Sequence, residues 1–185
     1  MRPTPKFLYL EHDGVLAFAH RGGNRQAPEN TMAAFADAAR QGYRFLETDV
    51  HASRDGVVFA FHDDNLLRMT GEDIAINALD AADIDSITVA GGHAIPRMED
   101  LLEAFPECRF NIDAKAWPVV EPLGQLIRRT EVDDRICIGA FNDERIFKVR
   151  QLVGRSLCHS IGVRESARFR LAARLGLNAY FTAGC

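Results

Sequence analysis

His20-Arg21-Gly22, Glu47-Thr48-Asp49-Val50 and Phe61-His62-Asp63 are the stretches of sequence that decide the fold prediction. Each stretch places charged or imidazole side chains at the end of a short apolar run. In parallel α/β proteins, functional residues come from the carboxyl ends of strands, where such runs stop. The pattern therefore predicts a parallel sheet that gathers two histidines, an arginine and two carboxylates at one edge, an arrangement that suits a phosphate-cleaving metal site.

The composition is that of one globular domain. The chain has 185 residues, of which 47% are hydrophobic and 26% charged, and this is enough apolar material for a full core. A net charge of -4 and a pI near 5.9 disfavour non-specific binding to nucleic acid or to an anionic membrane, because both favour a basic surface. We therefore expect a small-molecule substrate and no nucleic-acid partner, and the oligomeric state stays open.

The cysteines and the amino terminus indicate a reducing compartment. The cysteines have no Cys-x-x-Cys pair, so we expect free thiols. The first 20 residues hold only a short apolar stretch, and no apolar run approaches the roughly 20 residues that cross a bilayer. We therefore expect a cytoplasmic protein without stable membrane insertion. The four cysteines are Cys108, Cys137, Cys158 and Cys185.

Short apolar runs alternate with segments of helical period, which is typical of a parallel α/β fold. The strands are predicted at 15–19, 45–50, 57–61, 109–113, 135–139, 156–160 and 178–182. A first helix is predicted between Asn30 as its cap and Gly42 as its stop. A second begins after Asn142 and ends at Gly154, and others are predicted at 98–105, 119–129 and 165–175. Residues 64–95 are predicted to be irregular, with at most a turn or two of helix around 78–84.

One connection does not fit this alternation. Residues 51–56 are too few for a crossover helix, and an antiparallel hairpin is the local default. Six extended residues nonetheless span about 20 Å, enough to return along a short strand. We predict that 45–50 and 57–61 are parallel, because this arrangement brings His62 to the sheet end that holds Glu47 and Asp49.

Strand alternation brings polar side chains together. Glu47 and Asp49 are two residues apart and point to one face of a strand, and Asn111, Asp113 and Lys115 repeat that spacing. Like charges this close favour a cation between them, and oxygen ligands favour Mg²⁺ or Ca²⁺ over zinc. A solvated strand end with unrelated acids is the alternative that the spacing leaves open.

The first and third predicted strands each lead into a histidine, a side chain whose proton affinity suits acid or base chemistry near neutral pH. Arg21 follows His20 and offers a forked donor for a phosphoryl group. Lys115 offers a point cation. Glu29 and Asn30 are predicted to cap the next helix, and a second role in bracing Arg21 or the metal ligands is left open for both. The remaining histidines are predicted at the surface or in loops: His12, His51, His93 and His159.

The motifs, taken in order and spacing, carry a family resemblance. Over about residues 16–142 the chain resembles the glycerophosphodiester phosphodiesterases of the phospholipase C-like phosphodiesterase superfamily. The resemblance implies a TIM-type (β/α)8 barrel with its site at the carboxyl ends of the strands. The matching motifs are His20-Arg21-Gly22, Pro28-Glu29-Asn30-Thr31, Glu47-Thr48-Asp49-Val50, Asp55-Gly56, His62-Asp63 and Asn111-Ile112-Asp113-Ala114-Lys115.

The resemblance also implies a divalent metal, Mg²⁺ or Ca²⁺, and hydrolysis of glycerophosphodiesters to glycerol 3-phosphate and an alcohol. Which histidine is the acid and which the base stays open, and so does the head group of the substrate. Seven residues receive implied roles: the metal ligands Glu47, Asp49 and Asp113, the acid and base His20 and His62, and the phosphate-binding Arg21 and Lys115.

Two departures from the family pattern stand out. Asp113 occupies a position where glutamate is usual, which draws the carboxylate back by one methylene. A closed barrel of this type takes about 250 residues, and the chain has 185. We therefore expect residues 1–185 to form a single domain, a barrel that lacks its last strands.

Two further functions remain as alternatives. A lysophospholipase D or sphingomyelinase D-like phosphodiesterase would share the histidines and acids, although the sphingomyelinase D-like enzymes typically have a disulfide-braced loop, and no cysteine lies between Val50 and His62. The other alternative is an inactive or truncated barrel that binds phosphate or a partner without turnover.

Overall fold

The computed structural model describes residues 7–175. Helices and strands alternate along this part of the chain, which confirms the α/β class. The strands are β1 (Phe18–His20), β2 (Phe45–Ala52), β3 (Val58–Ala60), β4 (Thr88–Val89), β5 (His93–Ala94), β6 (Arg109–Ala114), β7 (Ile136–Gly139) and β8 (Cys158–His159). The α-helices are α1 (Met32–Arg40), α2 (Leu67–Thr70), α3 (Ala81–Asp85), α4 (Met98–Ala104), α5 (Val120–Thr130), α6 (Asp143–Val153) and α7 (Val163–Arg174).

A parallel sheet in the order β1-β2-β6-β7-β8 forms the framework. β2 and β7 are almost entirely buried, as expected of strands covered on both faces, whereas β6 between them alternates half-buried and buried residues. Two register pairs fix the site: Glu47 lies opposite Asn111, and Asp49 lies opposite Asp113. Parallel pairing therefore brings four polar side chains to the carboxyl ends of adjacent strands.

The predicted parallel pairing of the second and third strands is wrong. β2 and β3 are antiparallel, with Val50 opposite Ala60, and the turn is closed by the Ser53 amide, which donates to the Val57 carbonyl at 2.9 Å. His62 reaches the site nevertheless, because β2 continues past Asp49 and β3 runs back along that extension. The Phe61 amide then donates to the Asp49 carbonyl at 2.9 Å. The hairpin thus returns the chain directly to the strand that holds the acids.

The helices begin and end close to the predicted positions. Asn142 caps α6, since its side chain accepts a hydrogen bond from the Glu144 amide at 2.8 Å. The cap of α1 is Thr31 rather than Asn30, with the Thr31 hydroxyl accepting from the Ala34 amide at 3.2 Å. Asn30 is instead buried at a positive φ of 56°. It is therefore part of the site rather than the cap.

The stretch between β3 and α4, residues 61–97, is more ordered than predicted. It holds α2, α3 and the antiparallel pair β4–β5. Its apolar side chains form a separate cluster that includes Leu66, Ile76, Ile84 and Ile95, all buried. We call it the β3–α4 segment. Its own small core holds the polar residues on it in fixed positions.

A short segment before β1 covers the opposite end of the sheet. Phe7 and Tyr9 are buried against Phe45, Cys137 and Cys158, which lie near the amino ends of β2, β7 and β8. The three cysteines within residues 7–175 are buried and form no disulfide, as the sequence predicts. The predicted strand 178–182 and the fourth cysteine lie outside the described residues. None of the helices within residues 7–175 is long and apolar enough to cross a membrane.

Candidate active site

The carboxyl ends of β2 and β6 form the polar side of a cavity whose remaining lining is largely apolar. A cavity of about 510 Å³ is lined by Glu47, Asn111 and Asp113 and, among apolar residues, by Phe141 and Val163. The predicted alternation of acids along the two strands thus places Glu47 and Asp113 at the same opening.

Asp49 lies behind this opening in a cluster of charges. It is buried, with its Oδ1 3.0 Å from Lys115 Nζ and its Oδ2 3.0 Å from Arg21 Nε. Lys115 also donates to Asp113 Oδ2 at 3.2 Å. Burial works to lower the pKa of Lys115, but the hydrogen bond to Asp49 and the charge of Asp113 raise it above its usual value. Lys115 is therefore an ammonium at neutral pH, as a phosphate-binding role requires.

Arg21 sits in a strained turn directly after β1. Its φ is 54°, and its amide donates to Glu47 Oε2 at 3.0 Å. Its guanidinium donates to Glu29 Oε1 at 3.0 Å, which is the bracing contact that the sequence leaves open. The next residue, Gly22, has a φ of 73°, and a Cβ there would lie 2.9 Å from the Phe35 amide nitrogen. The turn is therefore packed tightly against α1 at Gly22, and there is no room for a side chain at that position.

The two predicted acid–base histidines have different surroundings. The His20 side chain is 70% exposed, with Nε2 3.7 Å from Glu47 Oε2. His62 is 30% exposed, and its Nδ1 lies 2.6 Å from Asp63 Oδ1. Burial works to raise the pKa of Asp63, but hydrogen bonds from Arg68 and His62 lower it below its usual value. Asp63 is thus an ionised acceptor, so His62 carries its proton on Nδ1 and leaves Nε2 available.

The prediction that His51 and His159 lie at the surface or in loops is wrong. Both are buried in strands, in β2 and β8. His51 Nε2 lies 3.3 Å from the carbonyl oxygen of His62, and burial lowers the pKa of His51. The alternation that pairs Glu47 with Asp49 also places His51 on their side of β2. That signal was present in the sequence, and His51 supports the backbone of His62.

Arg68 is the site residue that the sequence prediction missed. It lies in α2 and donates through Nε to Asp63 Oδ2 and through a terminal nitrogen to Glu29 Oε1, both at 2.6 Å. The β3–α4 segment has no regular period that could place Arg68 beside the strand ends. Local sequence therefore gave no signal for it.

The donor chemistry at the opening fits a hard divalent cation. Asp113 Oδ1 is buried and has no hydrogen-bond partner within residues 7–175. Burial, together with the nearby charge of Asp49, raises the pKa of Glu47 despite the hydrogen bond from the Arg21 amide, and a cation beside this carboxyl group would favour its charged form. In the described part of the chain no three His, Cys, Asp or Glu side chains converge closely enough to hold a metal, because Asp49 is turned toward Lys115 and Arg21.

Comparisons with known proteins agree with this geometry. The model of the glycerophosphoryl diester phosphodiesterase family matches residues 20–170, which contain every site residue described above. The chain belongs to this family. A protein of Mycobacterium tuberculosis named probable glycerophosphodiester phosphodiesterase 2 is 38% identical to it, over 96% of this chain and 67% of that relative.

A second relative, the human protein named lysophospholipase D GDPD1, is 32% identical over 70% of this chain and 46% of its own length. The chain thus spans two thirds of one curated relative and less than half of the other.

Solved structures confirm the TIM-barrel class. The glycerophosphoryl diester phosphodiesterase domain of a Mycobacterium tuberculosis protein superposes with a TM-score of 0.77 at 21% identity, over 89% of this chain and 66% of that one. A phosphodiesterase from Oleispira antarctica, solved in complex with the product sn-glycerol-3-phosphate, superposes with a TM-score of 0.71 at 23% identity, over 84% of this chain and 71% of that one. The parallel sheet of this chain therefore corresponds to part of a barrel.

Proposed function

We propose that the chain provides the catalytic centre of a glycerophosphodiester phosphodiesterase, which hydrolyses glycerophosphodiesters to glycerol 3-phosphate and an alcohol. The observation that supports this most directly is the convergence of two cations, Arg21 and Lys115, with two histidines at one sheet edge beside the Glu47 and Asp113 carboxylates. The name of the bacterial relative and the product bound to the Oleispira antarctica enzyme support the same reaction.

The two histidines have complementary roles in the proposed reaction. The available Nε2 of His62 accepts a proton from the attacking water, while Asp63 stabilises the imidazolium that results. The water oxygen bonds to phosphorus, and the bond from phosphorus to the alcohol oxygen breaks. His20, which is exposed beside Glu47, donates a proton to the departing alcohol. Arg21 and Lys115 hold the phosphoryl oxygens and offset their negative charge.

Glu47 and Asp113 would hold the divalent cation, Mg²⁺ or Ca²⁺. Asp49 completes the predicted ligand set only by giving up its contact with Lys115 or Arg21. When bound, the cation neutralises charge that builds up on the phosphoryl oxygens.

The experiment is an assay of the full chain with glycerophosphocholine and either Mg²⁺ or Ca²⁺, following release of glycerol 3-phosphate and repeated after chelation. We expect turnover that chelation abolishes and that His20→Asn or His62→Asn lowers by at least about 100-fold. His93→Asn, in β5 outside the site, is the matched control. A folded chain that releases no glycerol 3-phosphate would instead favour the inactive barrel that binds phosphate without turnover.

A lysophospholipase D activity is a second candidate, favoured by the apolar lining of the cavity. Phe141 is 72% exposed and Val163 57% exposed, and both line the cavity beside Asp113. An acyl chain that extends from the glycerol would cover them. The name of the human relative supports this substrate class. The lysophospholipase D activity would be established if the wild type preferred lysophosphatidylcholine over glycerophosphocholine and Phe141→Ser lost that preference. Equal use of the two substrates by both proteins would exclude it.

The single-domain organisation and the cytoplasmic location stay predictions from the sequence. The absence of a disulfide among the three buried cysteines in residues 7–175 supports a reducing compartment.

A further inference from the structure

Arg68 links side chains that come from two separate connections of the chain. It lies on α2, in the β3–α4 segment, while His62 follows β3 and Arg21 follows β1. Its Nε donates to Asp63, and a terminal nitrogen of its guanidinium donates to Glu29. Asp63 in turn contacts His62, and Glu29 contacts Arg21. Arg68 therefore lies between the proposed base and the proposed phosphate ligand.

The contacts form an unbroken series. His62 Nδ1 lies 2.6 Å from Asp63 Oδ1, and Asp63 Oδ2 lies 2.6 Å from Arg68 Nε. Glu29 Oε1 then accepts from both Arg68, at 2.6 Å, and Arg21, at 3.0 Å. Opposite charges alternate from Asp63 to Arg21. Because each carboxylate is shared, moving Arg68 changes the surroundings of both functional side chains.

Arg68 favours the charged form of both carboxylates. Their side chains are about one fifth exposed, and burial alone would raise the pKa of both Asp63 and Glu29. Hydrogen bonds from Arg68, together with those from His62 to Asp63 and from Arg21 to Glu29, overcome that effect and lower both pKa values. A planar guanidinium can bind two separate carboxylates at fixed angles, whereas the ammonium of a lysine is a single point charge.

We propose that Arg68 is a positioning residue for the reaction: it locks Asp63 against His62 and Glu29 against Arg21, so that the proton acceptor and the phosphate ligand keep one relative geometry. This inference rests on the proposed phosphodiesterase function. Arg68 itself touches neither the cavity lining nor the proposed reacting atoms. Its effect passes through the two carboxylates that it holds.

A double-mutant cycle tests the connection through Asp63. We expect Arg68→Gln to lower kcat by about 10- to 100-fold, the range that misplaced catalytic groups produce. Asp63→Asn should lower it further, and the combined variant should lose less than the two single losses combined, because the part of the effect of Arg68 that passes through Asp63 is then already absent. Arg68→Lys should be intermediate, since it restores charge without the fork. Fully additive losses, or wild-type kcat in Arg68→Gln, would overturn the proposal.

Arg54→Gln is the matched control. Arg54 also makes a two-pronged ion pair with one carboxylate, Asp80, at 2.5 and 2.8 Å, but it lies away from the cavity. We expect kcat within about twofold of wild type, because an exposed pair contributes little. Thermal unfolding of Arg68→Gln and Arg54→Gln, compared side by side, shows whether any loss of kcat comes from unfolding. A loss of kcat in Arg54→Gln as large as in Arg68→Gln would overturn the specific role.

A spectroscopic measurement tests the same proposal without turnover. Nitrogen-15 NMR of labelled histidines reports which ring nitrogen is protonated, and His62→Gln identifies the His62 signals. In the wild type we expect the neutral ring to carry its proton on Nδ1, and in Arg68→Gln we expect that preference to weaken. Identical His62 signals in the two proteins would overturn the proposal. A wild type that shows this Nδ1 signal but no turnover would refute the phosphodiesterase function and leave the positioning role supported.

Discussion

The site is assembled from two regions that are held in place in different ways. The strand-borne region consists of Glu47, Asp49, Asn111, Asp113 and Lys115, which lie on β2 or β6 or directly after them. Its geometry follows from the parallel register of the two strands, in which Asp49 lies opposite Asp113. Because the same backbone hydrogen bonds build the sheet, this region moves only if the sheet does.

The loop-borne region consists of Arg21, Glu29, His62, Asp63 and Arg68, which come from the β1–α1 connection, the connection after β3 and the short helix α2. No common strand or helix fixes them. Side-chain ion pairs hold them instead, from the 2.6 Å contact of His62 with Asp63 to the 3.0 Å contact of Arg21 with Glu29.

The difference shows how a barrel separates stability from chemistry. Strand register provides a rigid set of acids, and a set of charges on loops places the side chains that are proposed to move protons and bind phosphate. Removing a charge from the loop-borne region should therefore change only nearby contacts. Removing one from the strand-borne region should lower the stability of the whole fold.

Asp49→Asn tests the strand-borne region, and we expect the largest effect from it. Asp49 is buried and faces both Lys115 and Arg21, so its neutralisation leaves two cations without their shared partner. We expect a loss of about 3–5 kcal/mol in the free energy of unfolding, measured by urea denaturation. Asp85→Asn, which removes an exposed partner of Arg97, is the control. A loss below about 1 kcal/mol would show that the sheet does not depend on this charge cluster.

Gly22→Ala tests the junction between the two regions, and its effect should be smaller. The substitution imposes both a positive φ and a contact of 2.9 Å with the Phe35 amide, so we expect a loss of about 1–3 kcal/mol and reduced turnover. Gly23→Ala has a similar φ of 85° but no atom within 4 Å of its Cβ. The difference between the two variants measures the close contact alone, and equal losses would mean that the contact contributes nothing.

The contributions of the two regions to stability should change with pH in opposite directions, and we expect this effect to be the smallest of the three. The pKa values of Glu29 and Asp63 are lowered in the folded state, so their stabilisation is present above the ordinary carboxyl range and is lost as the pH falls through their folded values. The pKa of Glu47 is raised, so its contribution is favourable at low pH and is lost as the pH rises through its folded value.

Urea denaturation of Glu29→Gln and Glu47→Gln between pH 3 and pH 8 measures this contrast. Relative to wild type, Glu29→Gln should be less stable near neutral pH and approach wild type at low pH. Glu47→Gln should be more stable near neutral pH and lose that advantage at low pH. If both variants were less stable than wild type near neutral pH, or both were more stable, the division into two regions would be contradicted.

The strand-borne region could be predicted from sequence because alternation along a strand is a local rule. Glu47, Asp49 and Asp113 needed only a period of two and parallel pairing. The β2–β3 hairpin was predicted wrongly, because the inference assumed that His62 could reach the acids only from the end of a parallel strand. The length of β2 beyond Asp49 provides another route, and that length is set by pairing with β3, which a local pattern does not contain.

The loop-borne region was predicted only in part. His20, Arg21 and His62 were recognised because they end strands in a familiar motif, but Arg68 lies in a segment whose position depends on its own apolar cluster. The cap of α1 is Thr31 rather than the predicted Asn30, again because of a contact between residues that are distant in sequence. Asn30 accepts a hydrogen bond from the Thr48 hydroxyl at 2.9 Å, a long-range contact that removes it from capping.

The segment before β1 makes it possible to measure how often the sheet opens at the end opposite the candidate active site. Phe7 and Tyr9 cover two thiols, those of Cys137 and Cys158, which lie side by side on β7 and β8. A thiol-reactive dye can reach these sulfurs only after the segment lifts away. In a variant that lacks Cys108 and Cys185, the labelling rate in native buffer therefore measures how often this end of the sheet opens, in the same sample in which an assay tests the proposed catalytic centre at the other end.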